Sequence, residues 1–192
     1  MIRVGLVGED PNDTSSIKLL LTKKYKSRVH FCQLLKGTKG HQLDNQKTKK
    51  AVSVEIRTNK CDLTLFIRDL DGFISQEQLV AQKTAWFESL NRVSGGHNLF
   101  LLNTWELEAL IFGDIITFNN CYGTTLKGNS DPMMIKNPKE ELKRATYKSK
   151  RRYEESHCPE IFEKLDFNKV EAKCSLFKKF IHQFDERIAE MS

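Results

Sequence analysis

Four short runs of apolar and β-branched residues, IRVGLVG, RVHFCQLL, DLTLFI and HNLFLL, recur through the first half of the chain with helix-patterned stretches between them. Strands that alternate with helices cannot pair as hairpins; they lie parallel, joined by right-handed crossovers. DLTLFI is almost continuously apolar, as expected of a strand covered on both faces. Between the runs, DTSSIKLLLTKKY offers Asp13 or Thr14 as an N-cap and sets Ile17, Leu20 and Leu21 at helical spacing. DNQKTKKAVSVEIRTNK predicts a second helix. SQEQLVAQKTAWFESLNR predicts a third, with Leu79, Ala85, Trp86 and Leu90 inward, and TWELEALIFGD continues in helical pattern after the fourth run. The expected class is α/β, a parallel sheet of about four strands flanked by helices over residues 1–118.

After Asn119 the alternation stops. PKEELKRATYKSKRRYEE predicts a basic helix and EAKCSLFKKFIHQFDERIAEM a closing amphipathic one, so residues 119–192 form a basic helical extension packed on the core. Lys136 to Arg152 holds eight Lys or Arg against two Glu, a net +6 that equals the excess of the whole chain. Such a patch suits a polyanionic partner. No apolar stretch approaches the roughly 18–20 residues that cross a bilayer, and the N-terminus lacks a signal-peptide core; the expected location is cytoplasmic, with no membrane partner. Five widely spaced cysteines without a CxxC pair predict reduced thiols.

In open α/β sheets ligands bind beyond the carboxyl ends of the strands, and acids stand at three of those ends. The first strand runs into VGEDPND, with Glu9, Asp10 and Asp13. The third ends in RDLDG, with Asp69 and Asp71. The fourth leads to NTWELEALIFGD, with Glu106, Glu108 and Asp114. Clustered carboxylates repel unless a cation neutralises them, and hard oxygen donors suit Mg²⁺ or Mn²⁺. Asp10, before Pro11, fits a turn, and Asp114 a helix end. Glu106 and Glu108 stand two apart on a helix and cannot share one face; either one could meet the site.

These residues resemble a TOPRIM domain, the α/β fold of topoisomerases, DnaG-type primases and OLD-type nucleases. Glu9 and Asp13 in EDPND match its acidic motif after the first strand, with Asp10 where a glycine is usual and Gly8 preceding. Asp69 and Asp71 match its D-x-D, and WELEALIFGD is similar to the E-x-E-A-W segment of small stand-alone members from phage-defence loci. The resemblance implies a Mg²⁺- or Mn²⁺-dependent nuclease acting on DNA or RNA by water attack. Glu9, Asp69 and Asp71 would be catalytic, with Asp13 and Glu106 or Glu108 as further ligands, and Glu9 an alternative general base. Lys139, Lys143, Lys148, Lys150, Arg151 and Arg152 would hold the phosphate backbone, and an AAA/ABC-type ATPase would be the partner.

Two other readings stay open. One is a TOPRIM fold without catalysis that binds nucleic acid or a partner protein. The other is a phospho-receiver domain, with the acidic pair after the first strand, Asp69 as phosphate acceptor and Thr104 as its hydroxyl residue; the chain has no Lys-Pro after a fifth strand to complete it. P-loop, Rossmann fingerprint, nucleophile elbow and HExxH motifs are all missing.

Overall fold

The computed structural model describes residues 1–35 and 40–191. In chain order, β1 (Ile2–Val7), α1 (Pro11–Tyr25), β2 (Val29–Gln33), α2 (Gly40–Leu43), α3 (Gln46–Thr58), β3 (Leu63–Asp69), α4 (Glu77–Val93) and β4 (Leu99–Asn103) build one sheet ordered β2-β1-β3-β4. All three pairings are parallel: Val7 stands opposite Phe66, and Asp69 opposite Asn103. The α/β class expected from the alternation is therefore the observed one, and the carboxyl ends of all four strands point to one edge.

The strand periodicity of two sorts the core into two layers. Leu6, Leu65 and Ile67 pack with α1 and the C-terminal helices, whereas Val7 and Phe66 pack with Val52 of α3 and Trp86, Phe87 and Leu90 of α4. Ala85 does not turn inward: it is exposed, and Phe87 takes the buried place instead. Trp86 and Phe87 lie against Phe66 and Phe100, and the bulk of those rings keeps Ala85 off the sheet.

Helix α1 begins one turn earlier than the Asp13 or Thr14 cap implies. Asp10 is the N-cap: its Oδ1 accepts from the Asn12 N–H at 2.8 Å, Asp13 returns a bond to the Asp10 N–H at 3.1 Å, and Pro11 opens the helix. A Cβ on Gly8 would come 2.8 Å from the Thr14 methyl, so the preceding turn closes tightly onto the helix because Gly8 has no side chain.

Past β4 the chain departs from a simple helical reading. LEALIFGD is a buried 3₁₀ helix (Leu107–Asp114) rather than an α-helix, followed by α5 (Ile115–Tyr122). The basic segment yields only α6 (Pro138–Ala145); Lys148 to Arg151 lie in turns and bends, and Arg152 in irregular backbone. Thr146 ends that helix. Its hydroxyl donates back to the Leu142 carbonyl at 2.9 Å and accepts from the Tyr153 N–H at 2.9 Å. The closing segment is also two pieces, α8 (Phe167–Lys173) and α9 (Ser175–Glu190), with α7 (Cys158–Lys164) before them. The break at Cys174 lets α8 pack on the 3₁₀ helix while Phe177, Phe180, Phe184 and Ile188 of α9 join the sheet's core. Gly113 permits the first contact; a Cβ there would meet Cys174 Sγ and Val170 Cα at 2.9 Å.

The C-terminal helices complete a layer of the sheet. The Tyr25 hydroxyl donates to Asp185 at 2.8 Å, and their apolar residues are continuous with those of α1. Thr146→Val is expected to lower stability by about 1–3 kcal/mol, because it leaves the buried Tyr153 N–H without an acceptor. Roughly 2–4 °C per kcal/mol in a melting curve checks this; an unchanged melting temperature would show that the hydroxyl does not hold this turn.

Candidate functional site

Beyond the sheet edge lies a cleft of about 410 Å³ lined by Glu9, Asp10, Asn12, Asp13, Asp69, Glu108, Lys139, Glu155 and Cys158. Three of the acids arrive from three different elements. Asp69 is the last residue of β3 and accepts from Asn103 Nδ2, at the end of β4, at 3.1 Å. Asp13 comes from the first turn of α1. Glu108 comes from the 3₁₀ helix, is 5% exposed, and accepts from the Tyr153 hydroxyl at 3.0 Å.

The electrostatics record their proximity. Burial pushes the Asp13 carboxyl up to about 7, helped by Glu108, Asp10 and Glu9. Burial, then Asp13 and Glu108, push Asp69 well above the usual carboxylate range against the opposing Asn103 hydrogen bond. Glu108 is also raised, by burial above all, although Lys139 and Tyr153 pull the other way. Burial alone would lower the Lys139 ammonium, but Glu108, Glu106 and Glu155 outweigh it and hold Lys139 protonated.

The ambiguity between Glu106 and Glu108 is resolved by position. Glu108 lines the cleft, while Glu106 accepts from the Lys139 N–H at 3.2 Å and pairs with its ammonium at 3.3 Å. Glu106 thus anchors the cation. Asp114 lies elsewhere, bonded to Thr117, the Asp166 N–H and Lys169, and ties α5 to α8.

Asp71 does not line the cleft. After Asp69 the chain turns: the Leu70 N–H bonds the Asn103 carbonyl, the Asp71 N–H bonds that of Trp105, and Asp71 takes a left-handed φ of 58°. Its side chain is 71% exposed and reaches Lys83 of α4 at 3.3 Å. The two aspartates of RDLDG therefore part at a turn instead of sharing a face.

The six basic residues separate likewise. Lys139 alone among them lines the acidic cleft. Lys143 pairs with Glu140 and Glu155, and Arg152 lies over Tyr147 at 4.7 Å. Lys148, Lys150 and Arg151 line a separate, larger cleft of about 700 Å³ with Tyr122, Gly123, Thr124 and Thr125, where Arg151 forks onto Glu160.

Among the described residues, no three carboxylates, imidazoles or thiols are gathered closely enough to hold an ion as the side chains stand. The chemistry of the donor set nonetheless fits a hard dication: six carboxylates line one cleft, and at Asp13 and Asp69 repulsion by their neighbours adds to burial. Closing on an ion would require the carboxylates to shift. Thr104 is buried, and its hydroxyl has no hydrogen-bond partner among the described residues.

Sequence reasoning missed Asn103, Tyr153 and Lys139's carboxylate cage, none of which carries a motif. It also passed over Arg68, whose signal was present: an arginine inside the apolar run LTLFIRD must find a carboxylate. Against known proteins, a family model described as a domain of unknown function, DUF4276, matches residues 9–185. Neither the curated proteins nor the solved structures yield a match.

Proposed function

The chain belongs to the DUF4276 family, and we propose that it is a divalent-metal-dependent phosphodiesterase acting on nucleic acid. The observation that carries this is the meeting of Asp13, Asp69 and Glu108, with Glu9 beside them, in a cleft that also presents the Lys139 ammonium. Asp13, Asp69, Glu108 and Glu9 would hold Mg²⁺ or Mn²⁺, which supplies Lewis-acid polarisation of a phosphoryl oxygen and a bound water of lowered pKa. Asn103 and Tyr153 fix Asp69 and Glu108. Lys139, held by Glu106, offers a fixed cation to the non-bridging oxygens of a phosphodiester, where negative charge grows during attack. Lys143 and the cleft of Lys148, Lys150 and Arg151 would hold more of the backbone. The TOPRIM resemblance supports the same chemistry and adds an ATPase partner, as in the phage-defence systems where such proteins occur. The receiver alternative gains nothing, because the sheet has no fifth strand among the described residues.

The test is cleavage of supercoiled plasmid and of tRNA in Mg²⁺ or Mn²⁺, with and without a cognate ATPase. Wild type is expected to cut one of them. Asp71→Ala is expected to slow cutting by less than about fivefold, the scale of an exposed ion pair, whereas Asp69→Ala abolishes it. A loss at Asp71 as severe as at Asp69 would contradict this assignment of the ligands. Metal-independent binding without cutting in any condition would support a nucleic-acid-binding subunit instead.

A further inference from the structure

We propose that Arg68 is the positioning residue that presents Glu9 to the acidic cleft, an inference that rests on the metal-dependent hydrolase proposed above. Val7 pairs with Phe66, so two residues further on Glu9 and Arg68 emerge side by side from adjacent strands. Arg68 points to the α4 side of the sheet, away from Asp69, and its side chain is 8% exposed. Its guanidinium lies over Trp86 at 4.5 Å, donates through Nη1 to Asp44 at 2.9 Å and through Nε to Glu9 Oε1 at 2.5 Å. Trp86 is itself fixed by a bond from Nε1 to the Leu43 carbonyl.

Lys83 approaches the same atom, standing 3.6 Å from Glu9 Oε1. Both cations engage Oε1, and no group among the described residues is hydrogen-bonded to Oε2 of a side chain that lines the cleft. One carboxylate oxygen is thus tethered by Arg68 and Lys83, while among the described residues the other carries no hydrogen bond. Outer hydrogen bonds orient metal ligands in this way. An aliphatic residue at 68 would complete the apolar strand with less desolvation cost; the guanidinium adds a fixed direction for Glu9.

Charge and orientation act oppositely here. A nearby cation weakens dication binding, whereas a fixed ligand strengthens it. The decisive variant therefore keeps the charge. Mn²⁺ affinity of the metal-free protein is measured for wild type, Arg68→Lys, Glu9→Gln and the double variant, with melting curves in parallel. Arg68→Lys is expected to weaken Mn²⁺ binding about 10–100-fold, and to add nothing in the Glu9→Gln background. Trp86→Phe, which changes no charge but frees the guanidinium, is expected to weaken it in the same direction and serves where Arg68→Lys fails to fold. Unchanged affinity in the folded variants, or a loss that adds in full to Glu9→Gln, would overturn the role of Arg68 alone. A wild type with no saturable Mn²⁺ binding would overturn the metal reading as well.

Discussion

Asp69→Asn is expected to abolish phosphodiester hydrolysis, a loss of about 10³-fold or more, while raising the melting temperature of the metal-free protein. The two effects share one cause. Asp69 stands at the end of β3 among Asp13, Glu108 and Glu9, and burial together with those neighbours lifts its carboxyl well above the usual range. A charge kept there destabilises the fold unless a cation answers it. Asparagine has nearly the same shape and can still accept from Asn103 through its remaining oxygen, so the substitution relieves repulsion without opening a cavity. The gain should be on the order of 1 kcal/mol, or roughly 2–4 °C. A merely structural Asp69 would behave oppositely, losing stability on substitution while cleavage survived.

The second large effect is on stability against pH. In EDTA the wild type is expected to lose stability as the pH rises from about 4 to about 7. The sign follows from Asp13: its carboxyl titrates near 3.8 in the unfolded chain and near 7 in the folded one. Between those values the folded state binds the extra proton, so each step up in pH favours unfolding. Asp69 and Glu108 are shifted in the same direction and add to it. Glu160, held down to about 2 by Arg151 and Lys164, contributes with the opposite sign, but only as the pH falls below its ordinary 4.5. For Asp13 alone the decline should amount to about 3 kcal/mol, and the other two carboxyls add to it.

Saturating Mg²⁺ or Mn²⁺ should reverse that slope. The ion competes with protons for the carboxylates, so its contribution grows with pH. At 100 times the dissociation constant it adds about 2.7 kcal/mol, roughly 5–11 °C in a melting curve. Thermal melts at pH 5, 6 and 7.5, with EDTA and with metal, check both slopes. Stability that rises with pH in EDTA would mean that the carboxylates are already neutralised by Lys139 and Arg68.

The layers of the sheet were legible because apolar runs and helix-patterned stretches alternate at strict spacing, and strand order placed Glu9, Asp13, Asp69 and Glu108 at one edge. What local pattern could not show was how chains turn after strands. RDLDG reads as a pair, but backbone bonds from Leu70 and Asp71 to the segment after β4 force the left-handed turn that carries Asp71 outward. Those bonds join residues more than thirty positions apart in the chain. PKEELKRATYKSKRR reads as one helix, yet Thr146 ends it by bonding its own carbonyls and the distant Tyr153 N–H. Ala85 looked inward by spacing and lost its place to the larger Phe87. Arg68 differs: an arginine inside an apolar run already signalled a buried carboxylate partner, but only the tertiary fold shows that its contacts are Glu9, Asp44 and Trp86.

Cleavage needs substrate and can be silenced by a missing partner, whereas ion binding is read on the purified chain alone. The most direct measurement is therefore a Mn²⁺ titration of metal-free wild type at pH 7.5, read by the signal of the free ion, beside the same titration of Asp69→Asn. Saturable binding by wild type that Asp69→Asn weakens at least tenfold is the predicted result. Binding that is absent from wild type, or equal in both proteins, would contradict a metal-dependent site at the end of β3.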